Sequence, residues 1–237
     1  VSKRLYLPGP YTRGPAALDP SRTHYLKSVL RLRDGAAVLL FDGAGQTASA
    51  TARHSGRDLM LEIEAVHPPE AAPAPRIHLA WGLLKSKAQE QLLRKATELG
   101  ATDLWPVYTD HTHEPRKALP AANDARAHAV IASAAEQCGQ NWLPALHPGR
   151  DLRDLLAALP ATARLAMDQH GSDWPHALPQ TDTLLLVGPE GGWSDAERAA
   201  FDAADVGRVQ LGPLVLRAET APLVALSHLR AWWSFRS

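Results

Sequence analysis

The chain has 237 residues, of which 45% are hydrophobic and 21% charged, with a formal net charge of zero and one cysteine, Cys138. This composition indicates an ordinary globular protein of one large or two modest domains; it excludes an intramolecular disulfide and any multi-cysteine zinc or iron-sulfur site, and fits a reducing, cytoplasmic compartment. No apolar run approaches the roughly 20 residues of a spanning helix and residues 1–14 lack a signal-peptide apolar core, so neither membrane insertion nor secretion is expected.

The first 33 residues carry seven basic side chains (Lys3, Arg4, Arg13, Arg22, Lys27, Arg31 and Arg33) against one acid, Asp19. On a neutral protein this is either a solvated basic surface or a patch that meets phosphate. Within it, Asp19-Pro20 has the pattern of an N-cap followed by proline at the first helical position, which predicts a short helix through Leu30. Three apolar runs follow, 36–41, 46–53 and 58–66, separated by Asp42-Gly43-Ala44-Gly45 and His54-Ser55-Gly56-Arg57. Runs of this length with such turns predict a meander of antiparallel strands, and about 70 residues in this form suggest a small β-barrel used for binding.

His67-Pro68-Pro69-Glu70-Ala71-Ala72-Pro73-Ala74-Pro75 holds four prolines in nine residues. Proline lacks the amide donor that helices and ladders need, so 67–75 reads as an extended linker between domains 1–70 and 76–237. Beyond it strands and helices alternate. Strands are expected at 77–81, 103–108, 164–167, 183–187 and 208–211, and helices at 87–99, 121–138, 152–159, 195–204 and up to Trp233. Gly100 stands where a helix C-terminal cap belongs, and Ser194 and Glu197 have capping-box spacing. Such alternation implies a mostly parallel sheet covered on both faces, with ligands bound beyond the carboxyl ends of its strands.

Two loops lie at such ends. Gly188-Pro189-Glu190-Gly191-Gly192 follows the apolar run 184–187, and Leu211-Gly212-Pro213-Leu214-Val215-Leu216 leads into Arg217-Ala218-Glu219-Thr220-Ala221 and the last helix. The first lacks both the Gly-Lys-Ser/Thr of a nucleotide phosphate loop and the Gly-x-Gly-x-x-Gly of a dinucleotide site. It is either a tight strand-to-helix turn or a place where backbone meets ligand; the second loop is suited to enclosing a flat, adenine-like group. Among the eleven histidines only His111 and His113 are close, without the i, i+4 spacing of a helical metal site, so no metal is expected.

The segments 188–193 and 211–221 resemble the signature loops of the RsmE family of 16S ribosomal RNA (uracil-N3)-methyltransferases, in the SPOUT superfamily. The segment from His24 through Val29-Leu30-Arg31 to Gly35, Lys95-Ala96-Thr97-Glu98-Leu99-Gly100 and Glu136-Gln137-Cys138-Gly139 resemble further family elements in the same order. The resemblance implies an α/β SPOUT methyltransferase domain with a C-terminal trefoil knot, preceded by a PUA-like β-barrel. It implies a homodimer with the active site at the subunit interface, S-adenosyl-L-methionine as cofactor, and 16S rRNA or the small ribosomal subunit as partner.

Within that resemblance, Leu186, Gly188, Pro189, Glu190, Gly191, Leu211, Gly212, Leu216, Thr220 and Ala221 would hold the cofactor, and Arg4, His24, Lys27, Arg31 and Arg33 the RNA. Uracil N3 carries a proton in its neutral form and attacks a methyl group only once that proton leaves. Arg217 is the candidate to stabilise charge developing on the uracil oxygens, its bland role being an ion pair with Glu219. Glu219 or Glu190 would accept the proton or cap a helix. Glu98 either reaches the site or pairs with Arg94 or Lys95, Cys138 reads as a small buried residue, and Leu229, Trp232 and Trp233 read as core or dimer packing. In two places where the family carries arginines this chain has Gln140 and the run Thr109-Asp110-His111-Thr112-His113-Glu114, with His111 or Arg116 as candidate substitutes. The alternatives are a SPOUT methyltransferase for another RNA site and a non-catalytic RNA-binding assembly factor.

Overall fold

In a computed structural model of the chain, the described residues are 3–16, 18, 20–29, 31–55, 58–112, 124–159, 163–175 and 178–234. The expected N-cap Asp19, the helix end at Leu30, the helix start at 121, His113 and Arg116 lie outside them. The chain divides into two units, Val1–Ala72 with Ala135–Leu143, and Pro73–Ala134 with Pro144–Ser237.

The first unit is built on five strands, β1 (Lys3–Tyr6), β2 (Gly14–Ala16), β3 (Ala37–Phe41), β4 (Thr47–Ser55) and β5 (Asp58–Val66), in the order β1-β3-β4-β5-β2. The expected meander is β3-β4-β5, antiparallel throughout, with Leu40 opposite Ala48 and Ala50 opposite Ile63. Alternation drives it: Val38 and Leu40, then Ala48, Ala50 and Ala52, then Leu59, Leu61 and Ile63 are buried together with Leu5, Leu26 and Leu32. The Asp42 carboxylate accepts from the N–H groups of Ala44 and Gln46 at 2.7 and 3.0 Å, which fixes the β3–β4 turn. The basic segment forms a short helix, α1 (Pro20–His24), that continues as one π-helical turn over Tyr25–Val29. The sequence pattern did not mark β1 and β2. β1 pairs in parallel with β3, and β2 contains Pro15, which an edge strand tolerates because its outer amide has no ladder to join.

The 135–143 segment contributes to this unit through polar contacts. The Tyr6 N–H donates to Glu136 at 3.0 Å, and Arg4 donates to the Gln140 carbonyl and to Asn141 Oδ1 at 3.1 and 2.5 Å. Cys138 corrects the expectation of burial: it is exposed, at the end of its helix, where Gly139 with φ +90° stops the chain from continuing helically.

The second unit holds β6 (Ile77–Gly82), β7 (Asp103–Tyr108), β8 (Ala145–Leu146), β9 (Arg150–Asp151), β10 (Ala163–Ser172), β11 (Thr183–Val187) and β12 (Gly207–Val209). Their order is β12-β10-β11-β6-β7-β8, with β9 also on β7, and every pairing is parallel. β6 and β11 are buried along their whole length, as strands covered on both faces must be, and their residues are nearly all apolar for that reason. Ala80, Leu184 and Leu186 share a core with Leu152, Leu155 and Leu156 of α4 (Leu152–Ala158) and Phe201 of α5 (Asp195–Ala203). α6 (Ala221–Ser234) packs on β11 and on α2 (Ser86–Glu98), with Leu226, Leu229 and Trp233 buried. Gly100, with φ +77°, follows α2 as expected, and α3 (Ala125–Cys138) completes the set. Among the described residues, no helix is long and apolar enough to cross a membrane.

The order places β6 beside β11, yet the chain leaves β6 toward β7 and leaves β11 toward β12, on the other side of the sheet. The crevice between these two carboxyl ends is the switch point at which sheets of this kind bind ligands.

Candidate functional site

The loop after β11 is held on three sides. Gly192 N–H donates to the Pro189 carbonyl at 2.9 Å, closing a turn in which Gly192 has φ +66°. Trp193 then turns inward: its indole N–H donates to the Met167 carbonyl of β10 at 2.9 Å, and its ring meets Phe201 edge-on at 4.9 Å. Ser194 caps α5 with the expected box, accepting from the Glu197 N–H at 3.1 Å while Glu197 accepts from the Ser194 N–H at 2.8 Å.

The turn after β7 grips the same loop from the other side. Asp110 accepts from the Ser194 hydroxyl at 2.5 Å, its N–H donates to the buried Glu197 carboxylate at 3.0 Å, and His111 Nδ1 lies 2.8 Å from the Gly191 carbonyl. The end of β6 touches the loop at Pro189, since a Cβ on Gly82 would stand 2.6 Å from the Pro189 nitrogen. Glu190 and Gly191 themselves are exposed, and Leu186 is buried at the strand end.

The second loop leaves β12 beside the end of β10, where the Gln210 N–H donates to the Ser172 carbonyl at 2.8 Å. Gly171 lets the two backbones close, a Cβ there meeting Val209 N at 2.5 Å. The loop then projects outward, with Leu214 and Val215 exposed by 77% and 73%. Isolated exposed apolar residues are common, but two adjacent ones at a loop tip form a surface suited to covering. The chain returns at Arg217, whose carbonyl accepts from the Thr220 and Ala221 N–H groups at 2.8 and 3.0 Å and so starts α6. The Arg217 side chain is 86% exposed and 4.0 Å from Glu219, itself 25% exposed. Because β10 stands between β11 and β12, the two loops issue from strands two places apart at one edge of the sheet.

Asp168, in β10 just past its last pairing with β11, is fixed as an anion. Burial opposes its charge, but hydrogen bonds from Arg198 at 2.9 Å and from the His170 N–H, with the charges of Arg198 and Arg208, hold the carboxyl below the usual range. It ties α5 and β12 to the sheet and has no proton to exchange near neutral pH. Among the described residues, no group of three or more His, Cys, Asp or Glu is placed to hold a metal ion.

Comparison with known proteins fits this geometry. Residues 71–230 match the model of an RNA methyltransferase domain and residues 18–58 that of an RNA methyltransferase PUA domain. Ribosomal RNA small subunit methyltransferase E of Synechocystis is 32% identical over 223 residues, covering 90% of this chain and 72% of the relative. The chain belongs to the ribosomal RNA small subunit methyltransferase E family. The family member from Neisseria gonorrhoeae, solved bound to S-adenosyl methionine, superposes with a TM-score of 0.86 at 28% identity over 98% of both chains. A Legionella pneumophila structure named as a methyltransferase in complex with the bound cofactor SAM gives 0.86 at 29%, again over 98% of both chains.

The basic N-terminal residues expected to meet RNA fall into two groups in this structure. Arg31, with φ +48°, and Arg33 are exposed, His24 is exposed with Nδ1 3.3 Å from Ser28 Oγ, and Lys27 is half-buried. Arg4 is engaged inside its unit, its guanidinium lying 5.1 Å over the Phe41 ring as well as bonding the 140–141 backbone and side chain. Glu98 pairs with Lys95 at 2.7 Å, the blander of its two expected roles. Sequence reasoning named His111 only as a substitute and missed the Asp110 contacts, which join positions 84 and 87 residues apart. The one available signal was the departure from the family pattern at 109–114.

Proposed function

We propose that this chain is an S-adenosylmethionine-dependent methyltransferase acting on N3 of a uracil in 16S ribosomal RNA. The observation that carries the proposal is the pair of loops at one edge of the parallel sheet, in a member of a family whose solved relative holds the cofactor. Leu186, Gly188, Pro189, Glu190 and Gly191 would form one wall of the cofactor site, and Leu211, Gly212, Leu216, Thr220 and Ala221 the other. The donor set fits: Gly212, with φ +122°, has open space where a side chain would stand, and Leu214 and Val215 offer apolar area for an adenine to cover. The cofactor supplies an activated sulfonium methyl group.

The chain's own residues must take the uracil out of its stack, favour its anion and align N3. Arg217 is free in solvent apart from Glu219, so its guanidinium can turn to the carbonyl oxygens on which charge develops. Glu219 is the proposed acceptor of the N3 proton, with Glu190 the other carboxylate beside the loops. Residues 1–70 act as a PUA-like barrel that holds RNA through His24, Lys27, Arg31 and Arg33, with Arg4 bracing that face from within. The 67–75 linker joins it to the methyltransferase domain, 76–237, whose last loops thread a trefoil knot. The protein works in the cytoplasm as a homodimer, the partner chain helping to cover Leu214 and Val215.

Incubation with small ribosomal subunits and S-adenosylmethionine, followed by nucleoside mass spectrometry, tests this directly. N3-methyluridine is expected; a different methylated nucleoside or a 2′-O-methyl group would overturn the assignment.

A further inference from the structure

The two adjacent glycines of the β11 loop are needed for different reasons. Gly192 has φ +66° and nothing within 4 Å of where a Cβ would lie, so its requirement is conformational. Gly191 is absent from the positive-φ positions, and a Cβ there would sit 2.8 Å from His111 Cβ and 3.3 Å from His111 Cγ. It is a glycine because His111 lies against it.

His111 also bonds the loop it presses on. Its Nδ1 is 2.8 Å from the Gly191 carbonyl and 3.3 Å from the Gly192 carbonyl. Carbonyl oxygens only accept, so Nδ1 carries the proton and donates to this pair. The turn bearing His111 is itself set, with the Thr109 and Thr112 hydroxyls 2.8 Å apart and Asp110 bonded to both Ser194 and Glu197. A rigid support thus presents one donor to the loop.

We propose that His111 is a positioning residue for the glycine loop: its Nδ1–H holds the Gly191 carbonyl toward β7 and thereby keeps the loop backbone in the conformation that receives the cofactor. This rests on the reading of 188–191 as part of the cofactor site. Neither charge nor general-base chemistry is required of the imidazole, only a donor at a set distance from Cα.

That requirement makes the test sharp. Asparagine places an N–H donor as many bonds from Cα as Nδ1 does, whereas glutamine places one at the distance of Nε2. His111→Asn, His111→Gln and His111→Ala are compared in the full chain by amide hydrogen exchange over 188–194 without ligand, and by calorimetry with S-adenosylmethionine. His111→Ala and His111→Gln should each speed exchange and weaken binding about tenfold, and His111→Asn should stay within about threefold of the parent on both. Gly191→Ala should reproduce the loss, because its added Cβ would stand 2.8 Å from His111 Cβ and displace the imidazole from the Gly191 carbonyl. Equal behaviour of the asparagine and glutamine variants, unchanged exchange in all three, or slow exchange retained in Gly191→Ala would overturn the proposal. If the parent chain binds no S-adenosylmethionine while asparagine alone preserves slow exchange, the clamp stands and the cofactor reading fails.

Discussion

Gly82 and Pro189 meet where the strand order reverses: a Cβ on Gly82 would stand 2.5 Å from Pro189 Cδ and 2.6 Å from its nitrogen. The last residue of β6 therefore sets how far the β11 loop can settle onto the sheet. Gly82→Ala should destabilise the protein by about 1–3 kcal/mol, the usual cost of an added methyl in a packed site. It should also weaken S-adenosylmethionine binding, because the loop must lift. Denaturant midpoints and calorimetry on the same sample check both; unchanged affinity with lowered stability would separate Pro189 from the cofactor site.

Arg217 is the test of the chemistry as distinct from the cradle. Its side chain is 86% exposed and bound only loosely to Glu219, at 4.0 Å, so removing it leaves no buried charge uncompensated. Arg217→Ala should lower single-turnover methylation of small subunits at least 100-fold, the scale of losing a group that stabilises transition-state charge. Affinity for S-adenosylmethionine should stay within about threefold. A loss of affinity in step with rate would make Arg217 part of the cofactor site.

Much of this site was legible because its signals are local. The Ser194–Glu197 box and the Gly100 cap are set by spacing within one turn, and both are present. The apolar runs 77–81 and 183–187 announce strands covered on both faces. What stayed illegible depends on partners distant in the chain. β1 and β2 exist because β3 and β5 offer free edges, β8 and β9 are two residues each, and the 135–143 segment joins the first unit by contacts such as Glu136 with the Tyr6 N–H, 130 positions away. Cys138 misled because a small, unpaired cysteine reads as buried, whereas here it is exposed at the end of its helix, just before Gly139. His111 could not be joined to Gly191 by any pattern in the sequence.

Asp103 makes the second unit acid-sensitive. Its side chain is 1% exposed and accepts from Arg76 at 2.8 and 2.5 Å, from His147 at 2.8 Å and from Thr102 at 2.7 Å. Burial opposes the charge, but these donors outweigh it and hold the carboxyl well below the ordinary aspartate range. A folded value below the unfolded value of about 3.9 gives stability that is full above that pH and is lost as pH falls through the folded value. His78, beside it, has a depressed imidazole value caused by burial, so its contribution is full above about 6.5 and declines on acidification. Thermal melts from pH 7 downward should show both losses. Asp103→Asn should cost about 3 kcal/mol at pH 7, where the parent pair is intact, and should flatten the curve at its acid end. An unchanged acid limb in that variant would place the sensitivity elsewhere.

The basic N-terminal segment yields a prediction in which two kinds of arginine behave differently. Arg31 and Arg33 are exposed, so on the proposed reading each neutralises a phosphate. Each such contact adds about 0.7–0.9 to the slope of log affinity against log salt, so Arg31→Ala with Arg33→Ala should lower that slope by about 1–2. Melting temperature should barely move, because neither side chain is buried. Arg4 should do the reverse. With its guanidinium bonded to Gln140 and Asn141 and lying over Phe41, Arg4→Ala removes packing and hydrogen bonds inside the unit. It should lower stability by about 1–2 kcal/mol while leaving the salt slope nearly as it was. Filter binding of 16S rRNA across a salt series, with melts of the same three proteins, reads both quantities. A slope that falls for Arg4→Ala and not for the double variant would move the RNA-binding face away from residues 31–33.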